Sequence, residues 1–188
     1  RISALLMTAP VLNGRNVPAR IKLVLAASIT ALLAPTLPAM PDVPLFSPEG
    51  VLLTAQQVLV GALLGFVVQM VFDAMVIAGE TAAMSMGLGF ATFMDPERGV
   101  AVPVLSQFLL ILTTLTWLAL DGHLALLDVL ATSFRTMPVA VGAVSGVTPD
   151  LLREIVDFGA TMFAGALRIA LPAVCALLIV NIAFGVIS

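Results

Sequence analysis

Three polar side chains recur along one apolar stretch of the sequence, namely Gln69, Asp73 and Glu80. Offsets of four and seven residues place them on one face of an α-helix, and Met84 and Gly87 continue the same line. A carboxylate at membrane depth costs at least about 2.5 kcal/mol on insertion scales. We therefore expect Asp73 and Glu80 to face a helix bundle, a partner subunit or water. Two interpretations stay open, a pair of charges that fixes packing and a pair that takes part in transport.

A single cation interrupts a second apolar stretch, where Arg168 lies four residues before Pro172. A buried cation requires a nearby anion, and the candidates are Asp73, Glu80 or a carboxylate of a partner. The alternative is an arginine that extends its side chain to the membrane surface. The sequence predicts that this charge contributes to assembly if it is buried.

Residue patterns that carry catalysis are poorly represented. His123 is the only histidine, so a histidine metal cluster within the chain is excluded. Ser145 stands one place late for a nucleophile elbow in the segment GAVSG, and neither a Walker motif nor a GxGxxG pattern is present. We expect no enzyme activity, no cofactor and no metal. The net charge of −3 and the lack of a long basic tract also argue against a nucleic-acid partner.

The overall composition is that of an integral membrane protein. Hydrophobic residues make up 61% of the chain and charged residues 10%, with a mean hydropathy of +1.16. A soluble domain contains about 25% charged residues. Because no stretch alternates apolar and polar residues as barrel strands do, the fold class is predicted to be all-α and polytopic, with long kinked helices packed as hairpins.

Prolines and glycines divide the chain into helical segments. Helices are predicted at Ile21 to Ala34 and Val51 to Ala78, separated by a proline-rich linker at Pro35 to Gly50. The uncharged segment Val100 to Leu120 is the best single transmembrane candidate, and Leu124 to Met137 is predicted to be a shorter, partly interfacial helix.

The last predicted helix, Asp150 to Ile187, is about 57 Å long at 1.5 Å per residue, against a hydrocarbon core of about 30 Å. We expect it to be kinked at Pro172 or to extend out of the membrane. Small residues that would allow close helix packing precede the proline, at Gly159, Ala160, Ala164 and Gly165.

Close packing is also predicted within the longer of the preceding helices. Gly61 and Gly65 have the small-xxx-small spacing that lets the backbone of another helix approach. We expect these two positions to contact a neighbouring helix.

The segment from Gly79 to Gly99 interrupts two apolar stretches. Gly87 and Gly89 weaken a helix that enters it, and the residue before Pro96 is pushed out of the α region. Non-helical backbone is tolerated at membrane depth only where it is buried in protein or lines an aqueous path. Irregular backbone at a pore or constriction is therefore predicted here.

Three segments together resemble the FliR family of the flagellar type III export gate, whose injectisome counterpart is SctT. They are GETAAMSMGLGFATFMDP at 79–96, PVLSQFLLIL at 103–112 and LDGHLALLDVLATSFRTMPV at 120–139. The resemblance extends through residues 8–23, 44–47 and 180–188, and so covers nearly the whole chain. It implies that residues 1–188 form one export-gate membrane domain, truncated at both ends, with a partial first helix and no C-terminal hydrophobic segment.

The resemblance implies a subunit in the bacterial inner membrane, in the flagellar basal body. One copy would assemble with FliP and FliQ type subunits into a helical hetero-oligomeric channel for unfolded flagellar proteins, with a FlhB type subunit around it and membrane lipid outside. The family's pore plug corresponds to the loop at 90–99, and above all to Phe90, Ala91, Thr92, Phe93, Met94, Asp95 and Pro96. Residues just upstream are expected to line the constriction, namely Met84, Met86, Gly87 and Gly89.

Two other functions remain open at the level of sequence. An ion-coupled secondary transporter would use Asp73, Glu80 and Arg168 as coupling charges and the glycine-rich loop as a broken helix. A scaffold for a membrane complex would keep the interactions without a pore. A transporter should work as a monomer or homodimer, whereas a gate subunit should be inert without its hetero-oligomer.

Overall fold

A computed structural model describes residues 1–11, 18–37, 43–44, 46–88, 92–94, 101–139 and 148–187. Helices dominate these ranges, which confirms the predicted all-α class, and one short antiparallel ladder joins two strands. In chain order the elements are α1 Ile2–Thr8, α2 Ala19–Leu33, α3 Pro48–Ser85, β1 Thr92–Met94, β2 Ala101–Pro103, α4 Val104–Ala119, α5 Gly122–Thr136 and α6 Pro149–Ile187.

Helix α3 begins three residues earlier than the proline pattern predicted. The Ser47 hydroxyl accepts a hydrogen bond from the Gly50 amide at 3.0 Å, and Pro48 occupies the first turn, where no N–H donor is needed. The end of the predicted linker therefore belongs to α3. At its start, Ala34–Thr36 forms a short 3-10 turn directly after α2.

The C-terminus of α3 is closed by a Schellman motif. Gly87 has a φ of +71°, which glycine adopts without steric cost. The Leu88 amide donates to the Ala83 carbonyl at 2.9 Å, and the Gly87 amide donates to the Met84 carbonyl at 3.1 Å. Gly87 thus ends the helix, and α3 continues seven residues beyond the predicted end at Ala78.

Within the described ranges, α3 and α6 are the two helices long and apolar enough to cross a membrane singly. The prediction of one helix over Val100 to Leu120 is wrong, because residues 101–103 are extended and α4 has only 16 residues. Helices α4 and α5 meet at 67° and form a third candidate span only as a bent pair. Asp121, with a φ of 55°, makes the bend, whereas Gly122 starts α5 beneath the Trp117 ring.

Two apolar clusters hold the helices together. In the first, α1 packs against α5 through Ile2, Leu5, Leu6, Leu126, Leu130 and Phe134. In the second, Phe72 and Val76 of α3 pack against Leu110 of α4. Trp117 joins the second cluster edge-on to Phe72, with ring centroids 6.0 Å apart.

Helix α6 packs along α3 through small residues, but only one of the predicted four lies close to a side chain there. Gly159 lies against Met70, and Ala166 and Ala170 are buried. By contrast, Ala160 and Ala164 are exposed and Gly165 has open space around it. Pro172 lies inside the uninterrupted α6. Small residues do line the contact face of α6, but Ala160, Ala164 and Gly165 are not the ones that form it.

Candidate functional site

Strands β1 and β2 form the hairpin, a name used below for Thr92–Met94 paired antiparallel with Ala101–Pro103. The register pairs Thr92 with Pro103, Phe93 with Val102 and Met94 with Ala101. Part of the segment predicted to be irregular is therefore a ladder in which each strand satisfies backbone groups of the other. Pairing between two short extended segments, which helix periodicity does not encode, accounts for the difference.

The predicted plug residues are divided between the hairpin and undescribed positions. Thr92, Phe93 and Met94 form β1, and the Thr92 side chain is exposed. Phe90, Ala91, Asp95 and Pro96 lie outside the described residues, as does Gly89 among the constriction-lining candidates.

The remaining constriction candidates surround the end of α3. Met84 is 71% exposed and Met86 43% exposed, while Gly87 forms the helix stop. These flexible thioether side chains thus lie just before the hairpin on a surface that the described chain leaves open. Methionine adapts its shape to irregular or changing partners.

Helices α3 and α4 are tied together, close to the hairpin, by a contact that sequence reasoning missed. Ser106, fully buried near the start of α4, donates its hydroxyl to the Val76 carbonyl at 3.1 Å. A Cβ built at Gly79 would come within 2.8 Å of the Ser106 amide nitrogen. Position 79 therefore has room only for glycine. The glycine in the segment AGE, within an otherwise apolar helix, was the sequence feature that could have indicated this close contact.

The same face of α3 receives α1. A Cβ at Gly61 would lie 2.8 Å from the Cα of Arg1, and one at Gly65 would lie 2.9 Å from the Cβ of Thr8. Gly61 and Gly79 are 18 residues apart, which is five full turns at 3.6 residues per turn. A single face of α3 thus positions both α1 and α4.

Arg1 joins α1 to the end of α5, and this role was also missed. Its guanidinium donates to the Ser133 carbonyl at 2.6 Å and to the Met137 carbonyl, and it lies 4.7 Å from the Phe134 ring centroid. Cations stabilise the carbonyl-rich C-terminal end of a helix. Arginine stays charged in proteins, so Arg1 acts as a cationic cap on α5.

The predicted polar row lies on α3 beside these contacts. Gln69 donates its amide to the Asp73 carboxylate at 3.0 Å, and Glu80 is half-buried two turns further on. At 100° per residue, Asp73 and Glu80 lie within about 20° of each other around the helix, as their spacing predicted. Both carboxylates therefore face one sector of α3, between the α1 and α6 contacts.

Arg168 is not brought to this row. Its side chain is exposed, and across the described part of the chain no ion pair joins it to Asp73 or Glu80. Among the described residues, Arg168 is therefore not the intramolecular partner of either carboxylate. Ala166 and Ala170 face α3, and Arg168 is two residues from each of them. Residues two apart lie on nearly opposite sides of a helix, so the Arg168 side chain points away from α3.

The bend between α4 and α5 contains the only histidine. His123 lies edge-on to Trp117 with centroids 6.3 Å apart, and its Nδ1 is buried without a hydrogen-bond partner among the described residues. The described residues contain no group of three or more His, Cys, Asp or Glu side chains that could hold a metal ion.

Long apolar helices, small-residue contacts and a hairpin between two helices define a polytopic helical membrane protein. The chain belongs to the family described as bacterial export proteins, family 1, which matches residues 1–188. It is 40% identical over 188 residues to the flagellar biosynthetic protein FliR of Escherichia coli K12 and to that of Pectobacterium carotovorum. Each match covers 100% of this chain and 70% of the relative. The Bacillus subtilis protein of the same name is 29% identical over 188 residues, covering 100% of this chain and 72% of that protein.

Proposed function

We propose that this chain is a membrane subunit of the flagellar type III protein export gate, in the bacterial inner membrane at the flagellar basal body. Membership in a family of bacterial export proteins supports the transport role. The relatives named flagellar biosynthetic proteins, which align along the whole chain, support the flagellar setting.

The gate subunit works within a hetero-oligomer of FliP and FliQ type subunits, with a FlhB type subunit outside. Large apolar surfaces of the described chain support this part of the proposal. Helix α2 contains no buried residue, and on α6 Ile179 is 68% exposed and Phe184 69% exposed. Such surfaces require cover by lipid or by apolar partners.

The hairpin and the methionines before it close the channel to ions at rest. The observation that carries this assignment is extended backbone placed between α3, which is long enough to cross a membrane, and α4. Pairing satisfies the inner edges of β1 and β2, and the outer edge of a strand also needs hydrogen-bond partners. At membrane depth such edges are tolerated only inside protein or along water.

Closure by this segment relies on contact between side chains. Hydrophobic constrictions exclude water and ions by dewetting. Exposed Met84 and Met86 supply flexible apolar surface near the hairpin that repacks around a passing chain. An unfolded polypeptide can therefore displace the closure that blocks small ions.

Deletion of residues 90–96 from the full-length protein tests this proposal. The expected result is an assembled complex that leaks ions, measured as membrane depolarisation and slowed growth on overproduction together with subunit counting in mild detergent. Replacing the same seven positions by glycine and serine keeps the chain length and should also leak. Phe46→Ser, at a 99% exposed side chain outside the hairpin, is the control and should stay tight.

Loss of the complex without a leak would assign residues 90–96 to packing, and an assembled complex that remains tight would equally overturn the plug. The alternative of an ion-coupled transporter requires Asp73, Glu80 and Arg168 to act together. Arg168 lies on the side of α6 away from α3, so no observation favours that alternative. Ion-coupled solute flux by the chain reconstituted without partners would revive it.

A further inference from the structure

Charges on α6 are confined to its first half and its midpoint. They fall at Asp150, Arg153, Glu154, Asp157 and Arg168, and none occurs from Ile169 to Ile187. These 19 uncharged residues span about 28 Å, close to the hydrocarbon thickness of about 30 Å. The ten residues between Asp157 and Arg168 span only about 15 Å, too little to cross.

The Arg168 side chain lies opposite the α3 contact, as its position between Ala166 and Ala170 requires. Ala166 is fully buried and Ala170 is 2% exposed, while Leu167 and Ile169 beside Arg168 are about half exposed. A cation therefore projects outward from an apolar surface. A charged side chain is costly at the centre of a bilayer but favourable where it reaches the headgroups.

A second polar group lies at the same level. Pro172 has no N–H, so the carbonyl of Arg168 lacks the donor that a helix normally supplies four residues later. An unsatisfied carbonyl is disfavoured in hydrocarbon and is readily hydrated at an interface. Main chain and side chain of residue 168 thus both favour the boundary between headgroups and hydrocarbon.

We propose that Arg168 marks the level at which α6 enters the membrane and that its guanidinium binds the phosphodiester of an anionic phospholipid. Ile169 to Ile187 cross the hydrocarbon, and the first half of α6, with its acidic residues, stands on the hydrated side. Guanidinium groups match phosphate geometry with two parallel hydrogen bonds. This site depends on the membrane class of the protein and not on the gating role of the hairpin.

The native Cys175 provides a depth probe. It is exposed and lies seven residues after Arg168, about 10 Å deeper along the helix and on nearly the same face. Ala164→Cys, in a Cys175→Ala background, places a thiol on that face one turn to the hydrated side. The rate of labelling by a membrane-impermeant maleimide is measured for both thiols in the assembled complex. The membranes are opened so that the reagent reaches both surfaces.

Cys175 should react slower than the thiol at 164 by roughly tenfold or more, because maleimide coupling needs a hydrated thiolate. Detergent should abolish the difference. Equal reactivity in membranes would overturn the proposed level. The proposed level would also be overturned if a fluorescent probe on Cys175 were not quenched in vesicles of phosphatidylglycerol with brominated acyl chains.

Phospholipid retention tests the headgroup contact. Native mass spectrometry of the complex should show bound phosphatidylglycerol lost in Arg168→Leu and kept in Arg168→Lys. Arg153→Leu is the matched control, because this cation on the same helix pairs with Asp150 at 3.8 Å and should not alter lipid binding. Loss of a protein subunit instead of lipid in Arg168→Leu would assign the cation to a partner's carboxylate and overturn the proposal.

Discussion

The guanidinium of Arg1 donates a 2.6 Å hydrogen bond to the carbonyl oxygen of Ser133, although the two residues are 132 positions apart. A second donor of the same group reaches the Met137 carbonyl. Arg1 is only 8% exposed, so these carbonyls compensate for much of its lost hydration. The contact fixes the end of α5 to α1, and with it one end of the bent helix pair.

Arg1→Met should loosen the last turn of α5, because two carbonyls lose a charged donor worth about 1.5–3 kcal/mol each. We expect faster amide hydrogen exchange over residues 133–137 and lower recovery of the complex. Arg1→Lys should restore only part of the protection, since an ammonium lacks the planar fork. Ser133→Ala is the control and should change less, because it keeps the carbonyl that accepts at 2.6 Å and removes only the hydroxyl that accepts at 3.4 Å. Wild-type exchange in Arg1→Met would refute the capping role.

Gly79→Ala should destabilise the contact between α3 and α4. The new Cβ would lie 2.8 Å from the amide nitrogen of Ser106, which is backbone and cannot rotate away. Overpacking of this kind costs about 1–3 kcal/mol. Thermal unfolding of the complex measures the effect. Gly165→Ala is the matched control on α6, where a Cβ meets nothing within 4 Å and helix propensity predicts unchanged or higher stability.

Gly61→Leu and Gly65→Leu should each prevent α1 from seating on α3. Both glycines are buried, and even a methyl group at either position would lie 3.0 Å or less from α1. The expected result is loss of assembled complex in mild detergent. Gly165→Leu adds the same bulk in open space and should assemble normally. Unchanged recovery of the Gly61 and Gly65 variants would make their spacing incidental.

The carboxylates of Asp73 and Glu80 are predicted to pair with a cation, and among the described residues Arg168 is not that cation. Breaking a buried ion pair costs about 3–5 kcal/mol. Asp73→Asn and Glu80→Gln keep size and hydrogen bonding but remove charge, so they should lower complex recovery. Gln69→Glu keeps the size and adds charge on the same face, which tests whether charge at a defined position matters. Normal subunit counts in both neutral variants would exclude the pairing.

Arg168→Ala and Arg168→Glu test the remaining part of the sequence prediction, that this charge contributes to assembly. Because Arg168 is exposed and its proposed ligand is a phospholipid, we expect both variants to keep their protein subunits, and the glutamate variant to lose bound phospholipid most completely because it would repel anionic phosphate. Subunit counting after purification measures the assembly. Wild-type assembly and export in both variants would show that Arg168 contributes to neither.

Sequence alone determined the membrane class, because composition sums over all residues and needs no knowledge of contacts. It also located the helices α2, α5 and α6 and the start of α3 to within three residues, because prolines, glycines and charge-free stretches act locally, whereas α3 continues seven residues beyond its predicted end at Ala78. The three segments around 79–96, 103–112 and 120–139 indicated the family. Local signals also indicated that Gly87 weakens a helix, and in the structure Gly87 supplies the positive φ just after α3.

Tertiary structure alone decided which face of each helix meets another. Arg168 and Asp73 each lie on a helix whose sequence is apolar nearly all round, so periodicity does not reveal which side of α6 packs on α3. Burial of Ala166 and Ala170 sets that phase and turns Arg168 outward. The contact of Arg1 with Ser133 likewise depends on how the intervening helices fold back, and the pairing of Phe93 with Val102 depends on two short strands meeting, which helix periodicity does not encode.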